Sequence, residues 1–419
     1  MVRPTFRALS VRNFRIYLAG SIVSNIGTWM QRVAQDWLVL VVTGSGTALG
    51  ITAGLQFLPT LLMVPFAGSV ADRFPKRVVL RCTQVAMAAP SAVLGLLAVT
   101  GNVEAWHIYV IAFVFGTATA FDAPARQSFV MELVDRDLAA NAVGLGSASF
   151  NTARLIGPAV AGVAIGALGS GAEAAGWVIL ANAVSYVAVF VSLNRLDREL
   201  LMPVVVTHQA HGIADGWRYV RTRRDLILLL MCVASVGTFG LNFEMMSALM
   251  TTETFGLGAQ EFGALGSYIA VGSIVGALVA AHRGRPSVRI VVLSGISVGL
   301  VEIAAGVMPS YVAYAAIMPV LGFATLTMIT TANALIQLTT TPSMRGRVAA
   351  IYMMLFMGGT TFGAPLIGHV GEAWGARWTL VAGGSLSAVG ICAALIWAVL
   401  DARTISQAGQ LPAAQGGSV

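Results

Sequence analysis

Ionisable side chains inside apolar runs are the first candidates for chemistry, because each is costly in hydrocarbon and needs a reason to be there. Arg32 and Asp36 stand four apart in one run, hence on one helix face. Glu244 lies in a later run with no partner near it in the sequence, and Arg154 sits midway along another, beside Gly157-Pro158. Glu302 is similarly deep in a fourth. An acid in such a place can load and release a proton, since burial favours its neutral form and a nearby arginine its charged form. Asp36 is the first choice for that acid and Glu244 the second, with Arg154 as counter-charge to either. The competing reading of Arg32 and Asp36 is simple mutual neutralisation. His107 and His369 fall at the edges of runs on one side and His282 on the other, so no histidine relay is expected.

The elements that hold these residues are long apolar stretches. The chain of 419 residues is 57% hydrophobic and 10% charged, with a mean hydropathy of +0.81. Soluble domains carry about 25% charged residues, so only a membrane protein fits. About 20 apolar residues suffice to cross a bilayer, and twelve runs qualify: 14–42, 47–71, 78–100, 106–126, 138–167, 174–193, 226–251, 261–281, 288–308, 311–338, 347–370 and 377–400. Of the 25 Lys and Arg residues, all but Arg32, Arg154 and Arg377 fall at the termini or in alternate loops on one side. Cationic loops stay cytoplasmic, which places both termini in the cytoplasm of a multi-pass protein of the inner or plasma membrane. The net charge of +7 is therefore a topology signal, and no nucleic-acid partner is expected.

Cys82, Cys232 and Cys392 lie in separate runs without metal-ligand or disulfide spacing, so no metal is expected. The chain contains no phosphate-binding G-x-x-x-x-G-K-S/T loop, which disfavours ATP-driven pumping, and no H-E-x-x-H or G-x-S-x-G. The expectation is a non-enzyme with no cofactor. Between the sixth and seventh runs, Ile213, Trp217 and Val220 recur at helical spacing beside Arg218, Arg221 and Arg224. This predicts a short helix lying at the headgroup level, arginines towards anionic lipid. The expected divisions are a first bundle over 1–195, a cytoplasmic linker over 196–225, a second bundle over 226–400 and a disordered tail over 401–419.

The segment from Gly68 to Arg77, GSVADRFPKR, reads as a charged hinge between the second and third runs. Gly276 to Arg285 repeats its position in the second half, and Ala364-Pro365 repeats Gly157-Pro158 at nearly the same offset. That argues for a six-plus-six duplication. The pattern Gly68, Asp72, Arg73, Lys76, Arg77 resembles the loop signature of the major facilitator superfamily, with Pro75 where that signature has Gly. The resemblance implies an all-α membrane protein with twelve transmembrane helices in two pseudo-symmetric halves. It also implies that Asp72 caps the N-terminus of the eleventh helix, near Thr341-Pro342-Ser343, when the protein faces outward, with Lys76 and Asp122 completing the charge cluster. Gly157, Pro158 and Gly162 resemble the superfamily's antiporter signature, with Ala153 and Ala161 replacing glycines.

In this fold the spans carrying Asn25, Gln56, Phe57, Asn151, Asn242, Phe243, Asn333 and Gln337 line the cavity, which makes these residues substrate-contact candidates. The ninth helix is peripheral, so Glu302 reads as structural. The segments NIGTWMQR from Asn25 and AFDAPAR from Ala120 look like the branch that includes the enterobactin exporter and macrolide or multidrug exporters. That likeness implies a monomeric secondary transporter that exports a bulky amphipathic small molecule, a drug or siderophore, against proton entry. The alternatives are an importer of a small polar solute on the same fold and a non-transporting membrane sensor or scaffold.

Overall fold

A computed structural model shows the chain as helices throughout. It describes residues 4–202, 213–283 and 286–408, apart from the side chains of residues 4, 5, 64, 65, 69, 71, 72, 213, 281 and 401–408. After a 3-10 turn at Pro4–Ser10, the first six helices are α1 (Arg12–Thr43), α2 (Gly46–Arg73), α3 (Lys76–Val99), α4 (Ala105–Leu133), α5 (Arg136–Ala167) and α6 (Ala172–Arg195). The linker helix α7 spans Ile213–Arg221. Then come α8 (Arg224–Ser235), α9 (Phe243–Leu249), α10 (Ala259–Arg283), α11 (Val288–Gly306), α12 (Tyr311–Thr339), α13 (Arg345–Trp374) and α14 (Ala376–Ala408).

Ten stretches among the described residues are long and apolar enough to cross a membrane, α8 and α9 counting as one at Arg224–Thr254. The two expected spans outside that set, α1 and α5, are 32 residues each. They carry Arg32, Asp36 and Arg154, and α5 is rich in small residues, so their polarity reflects what they face rather than a lack of length.

Three boundaries differ from the sequence reading. The hinge expected over 68–77 shrinks to Phe74 and Pro75: α2 continues to Arg73 because nothing before Pro75 forbids helix, whereas the residue preceding a proline is pushed to extended backbone. Residue 74 does take that conformation, at φ −107° and ψ 151°. The tail expected from 401 begins as helix, since no Gly or Pro intervenes before Gly409, and 409–419 lie outside the described residues. The seventh run is a broken helix: π-helical turns at Val236–Gly240 and Met250–Thr254 flank the short α9.

Helices α1 and α3 pack on α6, and α2 on α4; later in the chain α10 packs on α12, and α11 on α14. Glycine lets the backbones close: at Gly299 a Cβ would meet the Gly384 carbonyl of α14, and at Gly116 it would overlap Gln56 of α2. This is the close-approach packing that membrane helices use.

Two pairs join early helices to late ones, α2 with α13 and α5 with α10, and both approach closely towards one end. Gly46 and Gly54 of α2 face Gly368 and Thr361 of α13, while Gly162 of α5 faces Ala259 and Gly263 of α10. Glu372, near the end of α13, accepts from Ser45 Oγ at 2.8 Å and from the Thr47 amide at 3.2 Å, tying it to the start of α2. At the opposite end, Cβ positions at Gly68, Gly144, Gly146 and Gly346 meet nothing within 4 Å. A separate core cluster (Phe14, Tyr17, Leu80, Phe129, Leu193) closes the first half on itself there. The bundle is thus sealed at the end of the α1–α2, α5–α6 and α13–α14 loops and splayed at the end carrying most of the arginines.

Candidate functional site

Helices α1, α2, α5 and α9 bring the deep charges together. The guanidinium of Arg32 lies 3.5 Å from the Glu244 carboxylate, joining α1 to α9. Their side chains are 28% and 49% exposed, so the pair reaches into open space. Arg32 also rests over the Trp29 ring at 5.1 Å and the Phe57 ring at 5.5 Å, and Arg154 of α5 rests over Trp29 at 5.5 Å. Each such contact is worth roughly 0.5–2 kcal/mol, and a shared indole lets two guanidiniums approach that would otherwise repel.

Asp36, one turn from Arg32 on α1, feels the charges of both Glu244 and Arg32; Arg154 feels the same two groups. Arg32, Asp36, Arg154 and Glu244 therefore form one electrostatic unit. It is formally neutral with both acids ionised, and one proton on either acid leaves a net positive charge among the arginines.

The Gly-Pro segment explains how Trp29 gets there. A Cβ at Gly157 would stand 2.6 Å from Trp29 Cβ, so glycine admits α1 against α5, while Gly162 and Pro158 turn to α10. Trp29 packs edge-on to Phe150 at 5.7 Å. Behind it, Gln31 accepts from Asn182 of α6 at 2.5 Å, and Tyr186 joins Asn182 and Thr28 at 3.2 Å each. Sequence reasoning missed Trp29; its position three residues before Arg32, on the same helix face, was the available signal.

The charges around the hinge resolve differently from expectation. Lys76 pairs with Glu132 at 2.9 Å, both side chains less than a tenth exposed. Asp122 instead accepts from Arg126 at 2.9 Å, Thr83 at 2.7 Å and Gln84 at 2.9 Å. Helices α3 and α4 run antiparallel, so Lys76 at the start of α3 lies level with Glu132 near the end of α4. Asp122 stands roughly 15 Å back along that axis at 1.5 Å per residue. Arg77 donates to the Asn194 carbonyl at 3.1 Å, Arg73 is exposed, Gly68 faces open space, and the side chain of Asp72 lies outside the described residues.

Glu132→Gln would leave Lys76 charged, buried and unpaired, at a cost of about 3–5 kcal/mol. Thermal unfolding of the detergent-purified protein is expected to shift down clearly, and a double change to apolar residues at 76 and 132 to restore much of the loss.

Of the cavity candidates, Phe57 lies against the charge unit, and Asn242 and Phe243 adjoin Glu244. Asn242 is buried and donates to the Thr238 and Phe239 carbonyls at 2.7 and 3.3 Å, capping the break before α9. Asn151 bonds its own helix at the Ser147 carbonyl, Gln56 and Asn25 are half-buried, and Asn333 and Gln337 are exposed on α12.

The family described as transmembrane secretion effector matches residues 4–414. The staphyloferrin A transporter of Staphylococcus aureus is 26% identical over 276 residues, covering 63% of this chain and 66% of that protein. The multidrug efflux pump Tap of Mycolicibacterium fortuitum is 26% identical over 381 residues, covering 88% and 91%. Among solved structures, a bacterial homologue of the human lysosomal transporter Spinster, in an inward-facing and unoccupied conformation, superposes with a TM-score of 0.69 at 15% identity, covering 99% of this chain and all of that one. The nucleoside transporter NupG superposes with a TM-score of 0.70 at 13% identity, covering 92% and 98%.

Proposed function

Because this chain belongs to the transmembrane secretion effector family of major facilitator transporters, we propose that it is a proton-driven exporter of bulky amphipathic small molecules. Its twelve crossings are α1 to α6, the broken α8–α9, and α10 to α14, in two six-helix halves over 1–195 and 226–400, working as a monomer with both termini cytoplasmic. The observation that carries this reading is the Arg32–Glu244 pair bridging the halves at 3.5 Å, in a cavity closed at one end and open at the other. The arginine-rich end is cytoplasmic by the positive-inside rule, so the described state faces inward.

Protonation of Asp36 or Glu244 from outside weakens the bridge, and release of that proton inside restores it. Substrate travels the other way. A charge change there biases the equilibrium between two arrangements of the same halves. The relatives named for staphyloferrin A and for multidrug efflux support outward export of amphipathic cargo, as do the aromatic groups Trp29, Phe57 and Phe150 around the charges.

The two gates use one device at opposite ends of the α2–α13 pair. In this state the Glu372 carboxylate holds the first N–H groups of α2. In the outward-facing state Asp72 would hold those of α13, whose N-cap residue, Met344, makes no side-chain cap bond. Carboxylates are favoured at helix N-termini by the free N–H groups and the dipole. That helix starts at Arg345 rather than near Thr341, which sets the contact one turn later than the sequence implies.

Reconstitution into liposomes with opposed pH gradients tests the direction and the coupling. An acid exterior is expected to drive loss of a fluorescent amphipathic cargo from the face bearing the linker, and substrate movement is expected to acidify the compartment the cargo leaves. Uptake along the proton gradient would overturn export, and cargo flux indifferent to pH would overturn coupling.

A further inference from the structure

Glu302 takes no part in the charge unit or in either gate. It sits on α11 with no solvent exposure, and neither carboxyl oxygen has a hydrogen-bond partner among the described residues. Buried polar groups in native structures are nearly always paired, so a carboxyl in a purely structural role would be expected to have a partner. The surroundings are specific. Glu302 faces the π-helical turn Val236–Gly240 that breaks the seventh crossing. A Cβ at Gly240 would lie 3.2 Å from Glu302 Oε1 and 3.1 Å from Ser387 Oγ of α14, and Ser387 is itself fully buried and unpartnered.

Two residues beyond Gly240, the Asn242 side-chain oxygen is also buried and unpartnered. Two further on stands Glu244, about half exposed. Buried oxygens without partners therefore border the break at Glu302 and Ser387 and again at Asn242, two residues before the half-exposed Glu244. The titratable group turned towards Glu302 from α12 is Tyr314, whose hydroxyl is shared with Ser247 at 3.2 Å. From α14, Arg377 is spent on the Gly306 and Met308 carbonyls, and no charged group of α8 or the π-turn faces it among the described residues.

We infer that Glu302 is a second exchangeable-proton site, set in the second half and gated by the α8–α9 break; this rests on the reading of the protein as proton-driven. An ionised carboxylate without a cation cannot be held in hydrocarbon at tolerable cost, so the packed break of the inward-facing state holds Glu302 with its proton. Single π-turns mark functional sites in helices because they rearrange without unwinding the whole helix. When the halves rock and the Gly240 face loosens, water enters past Asn242. The carboxyl O–H bond breaks, its electron pair stays on the oxygen and the proton passes to water. The proton is lost while the inner end is still open, and the break repacks only after one has returned from outer water, so each cycle carries one proton inward through Glu302, beside any carried by Asp36 and Glu244.

Infrared difference spectroscopy on the purified full-length protein tests this without transport. A buried protonated-carboxyl band is expected at low pH, absent from Glu302→Gln and retained in Asp36→Asn/Glu244→Gln. It should fade as pH rises, over the range in which a label on α9 reports a change at the break. Should Glu302→Gln fail to fold, the pH course of the wild-type band decides alone. A band that never titrates, one already absent at low pH, or one that responds to sodium at fixed pH would overturn the site.

In liposomes, Glu302→Gln is expected to lose proton-driven export while remaining inserted; a wild-type pH profile and proton-to-substrate ratio would contradict the proposal. If Asp36→Asn and Glu244→Gln keep coupled export while the Glu302 band titrates, the cavity assignment falls and this one stands.

Discussion

Glu244→Gln and Asp36→Asn are each expected to abolish the response of export to a pH jump, while leaving the protein inserted and almost as stable as before. The two effects separate because the groups sit where they do. The Arg32–Glu244 pair is 28% and 49% exposed, and partly solvated ion pairs contribute only about 0–1 kcal/mol to stability. Its removal therefore barely touches the fold.

For transport, the same pair is the point at which α1 and α9, one from each half, are tied by charge. Gln at 244 imitates the protonated acid permanently, so Arg32 is never recaptured. Asn at 36 removes the other acid in reach of Arg32 and leaves the unit positive throughout the cycle. A shift of only 1.4 kcal/mol between the two states changes their ratio about tenfold, so export is expected to fall at least that far. Substrate-driven proton movement, read by a pH dye in liposomes, should vanish with it. Full proton-driven export by both variants would remove both residues from the mechanism.

A second large effect is expected at the seal. Gly50→Val places a side chain where a Cβ alone already overlaps the Ala364 backbone of α13, and neighbouring contacts at Gly46 and Gly54 leave 2.9 and 2.8 Å to the facing carbonyls. Overpacking of this kind costs about 1–3 kcal/mol or more, and the cost falls only on the state in which α2 and α13 touch at that end. The variant should fold, insert and rest outward-open, with export lost. A cysteine at Ala364, wholly buried here, should become reactive from outside. Gly272→Val makes the contrast: its Cβ meets Pro319 within the same half, so it is expected to reduce folded protein rather than to shift the gate. Wild-type export by Gly50→Val would show that the two helices do not close the outer end.

How far the sequence foretold this arrangement depended on the kind of signal. Apolar length marked ten of the twelve expected crossings, and Arg32, Asp36, Arg154 and Glu244 stood out because charge in an apolar run is rare. Their mutual approach was not legible, because it spans α1, α5 and α9 and depends on Trp29 fitting against Gly157. Nothing in the sequence singled out Glu132; only the antiparallel register of α3 and α4 shows it facing Lys76. The broken seventh crossing was hidden inside an unbroken apolar run, since Gly237, Gly240 and Asn242 are tolerated in membrane helices. Glu302 was visible as a deep acid, and the expectation that it is structural came from its helix rather than from its surroundings.

Distances between spin labels at the two ends test the central claim most directly. Gly146 of α5 and Gly346 of α13 face open space at the splayed end, and Val41 and Trp374 are 43% and 67% exposed near the sealed end, so all four tolerate a label. Reciprocal motion driven by protonation predicts that a pH change shortens one distance as it lengthens the other, and that combining Asp36→Asn, Glu244→Gln and Glu302→Gln fixes both. Distances that ignore pH, or that change in the same direction at both ends, would contradict it.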